Sequence, residues 1–325
     1  MCIRDSFDAT LAKHAVASGV RLMEDTTVIG AITDERSDRV VGVTARPTAD
    51  RDAAPVAYRA ALVVAADGNS ARLATSVGLT KRDDRPLGVA VRTYYRSPRH
   101  DDDWLESWLE LWEGEPGRSR LLPGYGWIFG VGDGTSNVGL GVLNSSAAFG
   151  NVDYRDMLRR WAASTPPEWG FVPENMTSPI RGAALPMGFN RTPLYSRGLV
   201  LVGDAGGMVN PFNGEGIAYA MESGRIAAEI ISQALGRPEG PARERALYRY
   251  PEAMRARLGG YYTLGRVFVE AIGRPQVMGV LTRYGLSRPT LMRFAFKLLA
   301  NLTDQRGGDA MDRVINGLGR IVPAA

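Results

Sequence analysis

Residues 198–217 carry the densest chemical signal: Gly198-Leu-Val-Leu-Val-Gly203-Asp204-Ala-Gly-Gly207, then Asn210-Pro211-Phe-Asn-Gly214-Glu215-Gly216-Ile217. An unbroken apolar run of this length reads as a strand buried on both faces. It delivers the Asp204 carboxylate at its C-terminal end. A glycine-rich loop then leads into a helix whose first N–H groups lack intrahelical acceptors and face the same crevice. A carboxylate there accepts hydrogen bonds from a polyol, and the helix N-terminus, worth roughly +0.5 charge, stabilises negative charge gained by an electron-rich ring on reduction. Those demands match the ribityl chain and ring of a flavin. The candidates are Gly203, Asp204, Pro211, Gly214, Glu215, Gly216 and Ile217. The competing reading is a generic strand–loop–helix with glycines for turns, in which Glu215 is an ordinary first-turn acid.

A second apolar run, Arg59-Ala-Ala-Leu-Val-Val-Ala-Ala66, ends in Asp67-Gly68-Asn69-Ser70, where Asp67 by itself suits a turn. Tyr125, Trp127, Phe129 and Val131 recur with period two, so on a strand they share one face. That row of three rings either lines an apolar tunnel or packs a sheet against helices. His14 and His100 have polar neighbours and read as solvated; with the lone Cys2 they exclude a His/Cys metal cluster and an internal disulfide.

The elements that must position these residues follow from periodicity. Asp8 to Gly19 predicts a helix presenting Leu11, Ala15 and Val16, with Gly19 as its cap. Val20–Val28 and Val40–Ala45 predict strands around the turn at residues 34–38, and Arg59–Ala66 a doubly buried parallel strand. From Gly88 to Leu143, period-two runs at 89–95, 107–112, 125–131 and 137–142 predict an antiparallel sheet, with a hairpin turn at Gly132–Thr135. Trp104, Trp108 and Trp112 fit a helical stripe as an alternative. Asp153–Ala163 predicts a helix stopped by Pro166-Pro167. Asn213–Leu235 predicts another, with Ile217, Ala220, Met221, Gly224, Ala228, Ile231 and Leu235 in helical register, and everything after Gly240 reads as helical.

The fold class expected is therefore α/β. The flavoprotein resemblance carried by the motifs implies that residues 1–85 and 191–236 form a Rossmann-like dinucleotide-binding unit, incomplete at its N-terminus, with 86–190 an antiparallel substrate sheet and 237–325 a helical region. Length (325 residues), 45% hydrophobic and 23% charged residues fit an ordinary globular chain. No run is apolar enough for a membrane span or signal core. From Arg225 onward there are 16 basic and 8 acidic residues, against 23 and 27 before it. Such a basic end suits nucleic acid or an anionic lipid surface, or else is a solvated arginine-rich face.

The motifs also carry a resemblance. Val63-Val-Ala-Ala-Asp67-Gly68-Asn-Ser-Ala-Arg72 and Leu201-Val-Gly203-Asp204-Ala resemble the two downstream FAD motifs of the hydroxylase-like flavoprotein superfamily. Gly88-Val-Ala-Val-Arg92, Leu122-Pro-Gly-Tyr-Gly-Trp-Ile-Phe129, Glu168-Trp-Gly-Phe171, Ala184-Leu-Pro-Met187 and Asn210–Ile217 narrow it to the geranylgeranyl reductase family, in particular its actinobacterial menaquinone reductases. The resemblance covers roughly residues 4–235. It implies FAD as cofactor, with Asp67 and Gly68 on the flavin or pyrophosphate side, and a polyprenyl lipid or quinone as substrate beside Tyr125, Trp127 and Phe129. It also implies reduction of an isoprenyl C=C bond by hydride and proton. Positive charge developing on carbon would be stabilised by aromatic faces at ~0.5–2 kcal/mol. The donor would be NAD(P)H or ferredoxin, and the protein would sit peripherally on the cytoplasmic face of the cell membrane, with no nucleic-acid partner. Two departures stand out. Phe129 is followed by Gly130 where the family has proline. The opening Gly-x-Gly-x-x-Gly strand-turn and the Cys-Gly-Asp-Gly tract are missing, the start matching instead the family's Arg-x-x-Phe-Asp-x-x-Leu helix at Arg4–Leu11. An N-terminally truncated chain is the expectation. An aromatic-ring monooxygenase and a non-catalytic fragment are the alternatives.

Overall fold

The computed structural model describes residues 3–146, 149–304 and 308–321; Cys2 lies outside the described residues. Helix α1 (Ile3–Ala17) closes at Gly19, whose N–H donates to the Val16 carbonyl at 2.9 Å. The face expected to be covered is not, since Leu11 and Val16 are exposed. Strands β1 (Thr26–Thr33), β2 (Val40–Pro47) and β3 (Val56–Arg59) form an antiparallel meander. At its first turn the Asp34 carboxylate accepts from the N–H groups of Arg36 and Ser37 and the Ser37 hydroxyl. β1 starts later than its apolar pattern predicts because Asp25 adopts a left-handed φ of 50°, which breaks extension between Val20 and Thr26.

The run at 59–66 is not one strand. Arg59 ends β3, and the chain re-enters as β4 (Val63–Ala65), followed by helix α2 (Arg72–Ser76). β4 is an edge strand with Val64 exposed, so the doubly buried reading fails there.

Strands β5 (Leu87–Arg96), β6 (Leu105–Trp108), β7 (Gly124–Gly130), β8 (Thr135–Leu143) and β9 (Arg181–Pro186) form a sheet in the order β6-β7-β8-β5-β9. All its neighbours are antiparallel. Helix α3 (Tyr154–Ala163), capped by Asp153 accepting from Arg155 and Asp156, covers one face. Met157, Leu158 and Trp161 bury there against Val91, Ile128, Val138, Leu140 and Val142. Removing such a side chain to alanine costs ~2–5 kcal/mol. The tryptophan tract is strand and turn, not helix: the ring of Trp108 meets Trp161 and Trp169 edge-on at 5.9 and 6.2 Å.

Strands β10 (Tyr195–Ser196) and β11 (Leu199–Leu201) complete the third sheet, in which β11 is central, fully buried and parallel to β4. Helices α4 (Ile217–Leu235), α5 (Pro241–Leu247), α6 (Arg249–Ile272), α7 (Pro275–Val280), α8 (Pro289–Leu299) and α9 (Ala310–Ile321) follow, with a π-helical turn at Leu281–Gly285. Past residue 240 the described residues are helical apart from short connections such as 301–304. Tyr250 and Tyr262 tie α6 to the sheet by donating to the carbonyls of Leu201 (2.9 Å) and Met208 (2.6 Å). No helix among the described residues is long and apolar enough to cross a membrane.

Candidate functional site

Parallel pairing aligns Ala65 with Leu201, which brings Asp67 and Asp204 to the same end of adjacent strands. Gly203 turns the chain there with φ +56°, donating its N–H to Ser223 Oγ at 3.0 Å. A Cβ at 203 would lie 2.9 Å from that of Ala220, so only glycine lets α4 approach the turn this closely. Asp204 Oδ1 rests against Gly216, where a Cβ would come within 3.0 Å. The carboxylate and the start of α4 are thus in contact.

The loop between them is held by its own polar groups. Asn210 Oδ1 accepts from Phe212 N–H, Asn213 Oδ1 accepts from Glu215 N–H, and Asn210 N–H donates to the Glu215 carbonyl, at 2.8–2.9 Å. Pro211 wedges against Gly265 of α6. Helix α4 begins at Ile217 rather than at Asn213 because these bonds keep 210–216 in a non-helical loop. Glu215 Oε1 accepts from Ala218 N–H at 2.7 Å, capping one of the free donors. Among the described residues the N–H groups of Gly216 and Ile217 have no protein acceptor. The stripe anticipated for this helix is rotated: Ile217, Met221 and Leu235 are exposed, while Tyr219, Ser223, Ile226, Ala227, Ile230 and Ala234 are buried. Those residues face α6 and the β10–β11 edge.

Asp67 Oδ2 accepts from Leu73 N–H at 3.0 Å, so it also serves the local turn, and Gly68 follows at φ +69°. Behind it stands a residue no motif marked. Arg191 is 2% exposed and donates to the carbonyls of Ala205 (3.1 Å) and Leu79 (2.9 Å). Burial pushes its pKa down, against the opposing charge of Asp67. The only sequence signal was a charged residue next to an aromatic, apolar stretch.

The five-stranded sheet presents its other face to this loop. Register puts Tyr125 opposite Gly141, Trp127 opposite Gly139 and Phe129 opposite Asn137, all on the side away from Ile128 and α3. Tyr125 donates to the Asn213 carbonyl at 2.5 Å. Burial first, then the nearby Glu215 charge, push its pKa up to about 12, so it stays a neutral donor. Trp127 Nε1 donates to Asn137 Oδ1 at 2.8 Å, and its ring crosses Gly139 so closely that a Cβ there would be 2.2 Å from Cζ2. The rings of Tyr125 and Trp127 are 5.9 Å apart, while Phe129 lies further along the strand, opposite Leu105. Gly130 is explained too: its strand continues into pairing with Ser136, and a Cβ would strike the His100 carbonyl at 2.4 Å. A separate cavity of about 520 Å³ opens beside β1 and β2, with Arg46, Arg51 and Arg72 on its walls. Among the described residues no His/Cys/Asp/Glu group has metal-binding geometry.

No family model matches the chain. It is 30% identical over 319 residues to a menaquinone reductase of Mycobacterium tuberculosis, covering 98% of this chain and 72% of that protein. It is 33% identical over 262 residues to a digeranylgeranylglycerophospholipid reductase of Methanocella arvoryzae, covering 79% and 60%. Among solved structures, a geranylgeranyl bacteriochlorophyll reductase-like protein of Thermoplasma acidophilum superposes with a TM-score of 0.72 at 20% identity, over 97% of this chain and 75% of the other.

Proposed function

This chain belongs to the geranylgeranyl reductase family, and from that premise we propose that it is an FAD-dependent reductase saturating a C=C bond in a polyprenyl chain, either a menaquinone side chain or a geranylgeranyl lipid. The observation that carries the reading is the Tyr125–Asn213 hydrogen bond, which clasps the aromatic sheet face onto the Asp204 loop. A cofactor corner and an apolar substrate face are thereby adjacent. The corner fits a flavin: the Asp204 carboxylate touches the α4 start, and two N–H groups there await an acceptor. Gly203, Asp204, Pro211, Gly214, Glu215, Gly216 and Ile217 would hold the ribityl and ring portions, with Asp67 and Gly68 beside them. Bound FAD supplies the two-electron reducing chemistry. Tyr125, Trp127 and Phe129 orient the prenyl chain and exclude water, and their ring faces favour positive charge developing on carbon.

On this reading residues 1–85 and 191–236 bind the cofactor, 86–190 bind substrate and 237–325 cover the site. Electrons come from NAD(P)H or ferredoxin. Membrane attachment is peripheral, on the cytoplasmic face, through the helical end. Residues 271–303 contain four arginines, Lys297 and no acid, and expose Val280, Leu281, Tyr284, Leu286, Leu291 and Phe296. Lys297 is engaged by Asp309 and Asp312, which leaves the arginines to meet anionic lipid. The test is the product from menaquinone or a geranylgeranyl lipid: a saturated alkene without oxygen incorporation supports the reductase. A hydroxylated ring with oxygen consumed would establish the monooxygenase instead, and a purified protein without flavin absorbance would sink the FAD reading.

A further inference from the structure

Residues 189–191 lie directly against the turn that carries Asp204. The N–H groups of Phe189 and Asn190 converge on the Gly207 carbonyl at 2.8 and 3.3 Å, and the Gly207 N–H donates to the Asp204 carbonyl at 3.0 Å. A Cβ at Gly207 would lie 2.5 Å from the Asn190 nitrogen, so the two segments meet with no side chain between them. Arg191 follows, 2% exposed, with Nε donating to the Ala205 carbonyl and Nη1 to that of Leu79. Its guanidinium is thereby fixed to the residue next to Asp204 and to the segment that leaves α2.

Two carbonyls need donors, not a charge, and a neutral amide would serve them. Burying a guanidinium is costly unless a carboxylate meets it. Arg99 is met in that way, by Asp102 and Glu106, whereas among the described residues Arg191 makes no ion pair. Asp67, whose charge favours the cation, is itself exposed. The corner gathers three carboxylates, Asp67, Asp204 and Glu215, which disfavour further negative charge there. Two-electron reduction of a flavin with uptake of one proton leaves one negative charge on its ring. The start of α4 offsets part of that repulsion with a partial charge; Arg191 brings a whole one, in a site poor in water where charges act over longer distances. Resting on the FAD reading of this corner, we infer that Arg191 sets the reduction potential of the bound flavin, its buried charge favouring the reduced, negative ring over the oxidised, neutral one. Its role is electrostatic and distinct from that of the residues that hold the cofactor.

The test is the midpoint potential of the FAD-loaded protein, measured anaerobically against a reference dye, with affinity for oxidised FAD followed by fluorescence. Two unit charges about 12 Å apart, at an effective dielectric of about 20, bias an equilibrium about tenfold. Arg191→Gln should therefore lower the preference for reduced over oxidised flavin about tenfold, a potential about 30 mV more negative for a two-electron couple. Arg191→Lys keeps the charge without the forked geometry, and should hold the wild-type potential even where Tm falls. A purely structural role has another signature: both variants lose stability, oxidised and reduced flavin lose affinity alike, and the potential does not move. An unmoved potential in Arg191→Gln overturns the inference, and so does an Arg191→Lys potential as low as that of Arg191→Gln. Arg191→Met, uncharged and of similar reach, should show the same shift and replaces Arg191→Gln if that variant does not load flavin. Wild-type protein that takes up no FAD refutes the flavin reading itself, whereas a loaded protein with an unmoved potential refutes only the role of Arg191.

Discussion

Replacing Gly139 by alanine tests whether the Trp127 ring is held flat across β8 as a wall of the prenyl-binding face. The added Cβ would stand 2.2 Å from Cζ2 and 2.5 Å from Cε2 of Trp127, and 2.7 Å from the Val91 carbonyl oxygen. The carbonyl belongs to the paired sheet and cannot yield, so the ring must lift by about 1 Å to regain ordinary packing distance. That movement breaks the 2.8 Å bond from Nε1 to Asn137. Overpacking of this kind costs ~1–3 kcal/mol and the lost hydrogen bond ~1 kcal/mol, a total of roughly 2–4 kcal/mol. Urea denaturation should show a midpoint lowered with unchanged slope, and near-UV circular dichroism a changed tryptophan signal. Steady-state turnover should fall mainly through KM, because the binding wall has moved and the cofactor corner has not. An unaltered midpoint together with an unaltered tryptophan signal would refute the placement of Trp127 over Gly139.

Tyr125→Phe removes the clasp to the Asn213 carbonyl at a cost of ~1–1.5 kcal/mol, so flavin affinity followed by fluorescence titration should weaken about five- to tenfold, with secondary structure intact by far-UV circular dichroism. Gly203→Ala combines a left-handed φ with a contact 2.9 Å from the Ala220 Cβ; calorimetric unfolding should show a loss of ~2–5 kcal/mol, and an unchanged Tm would contradict the packing of α4 on that turn. Tyr125, Tyr195 and Tyr219 are each pushed up to about 12 by burial from an ordinary 10.0. Their neutral forms therefore contribute stability fully below pH ~10, lost as pH rises toward 12 at roughly 1.4 kcal/mol per unit for each group, so urea midpoints should fall steeply only in that window.

The antiparallel sheet was legible because period two is a direct consequence of strand geometry, and Tyr125, Trp127 and Phe129 share a face for that reason. The buried strand before Asp204 was legible from Leu199–Val202, since a strand covered on both faces favours an unbroken apolar run. The same logic misled at 59–66: hydrophobic content cannot distinguish a central strand from an edge, and Val64 faces outward. It misled again on α4, where Ile217, Met221 and Leu235 keep helical spacing but Tyr219 and Ser223 make the buried contacts. Serine is tolerated in the interior because the folded chain replaces its water partners, Ser223 Oγ accepting from the Gly203 N–H and donating to the Ala220 carbonyl. Arg191 was invisible for a related reason, since its partners are carbonyls distant in sequence.

The central claim, a flavin corner clasped to a prenyl-binding sheet face, is tested most directly by an anaerobic single turnover in which the FAD-loaded protein is first reduced with one equivalent of dithionite and then mixed with a polyprenyl substrate. The account predicts flavin reoxidation matched mole for mole by a product heavier by one hydrogen molecule, its new C–H bonds in the prenyl chain. Reoxidation only when oxygen is admitted, with the prenyl chain unchanged, would contradict it.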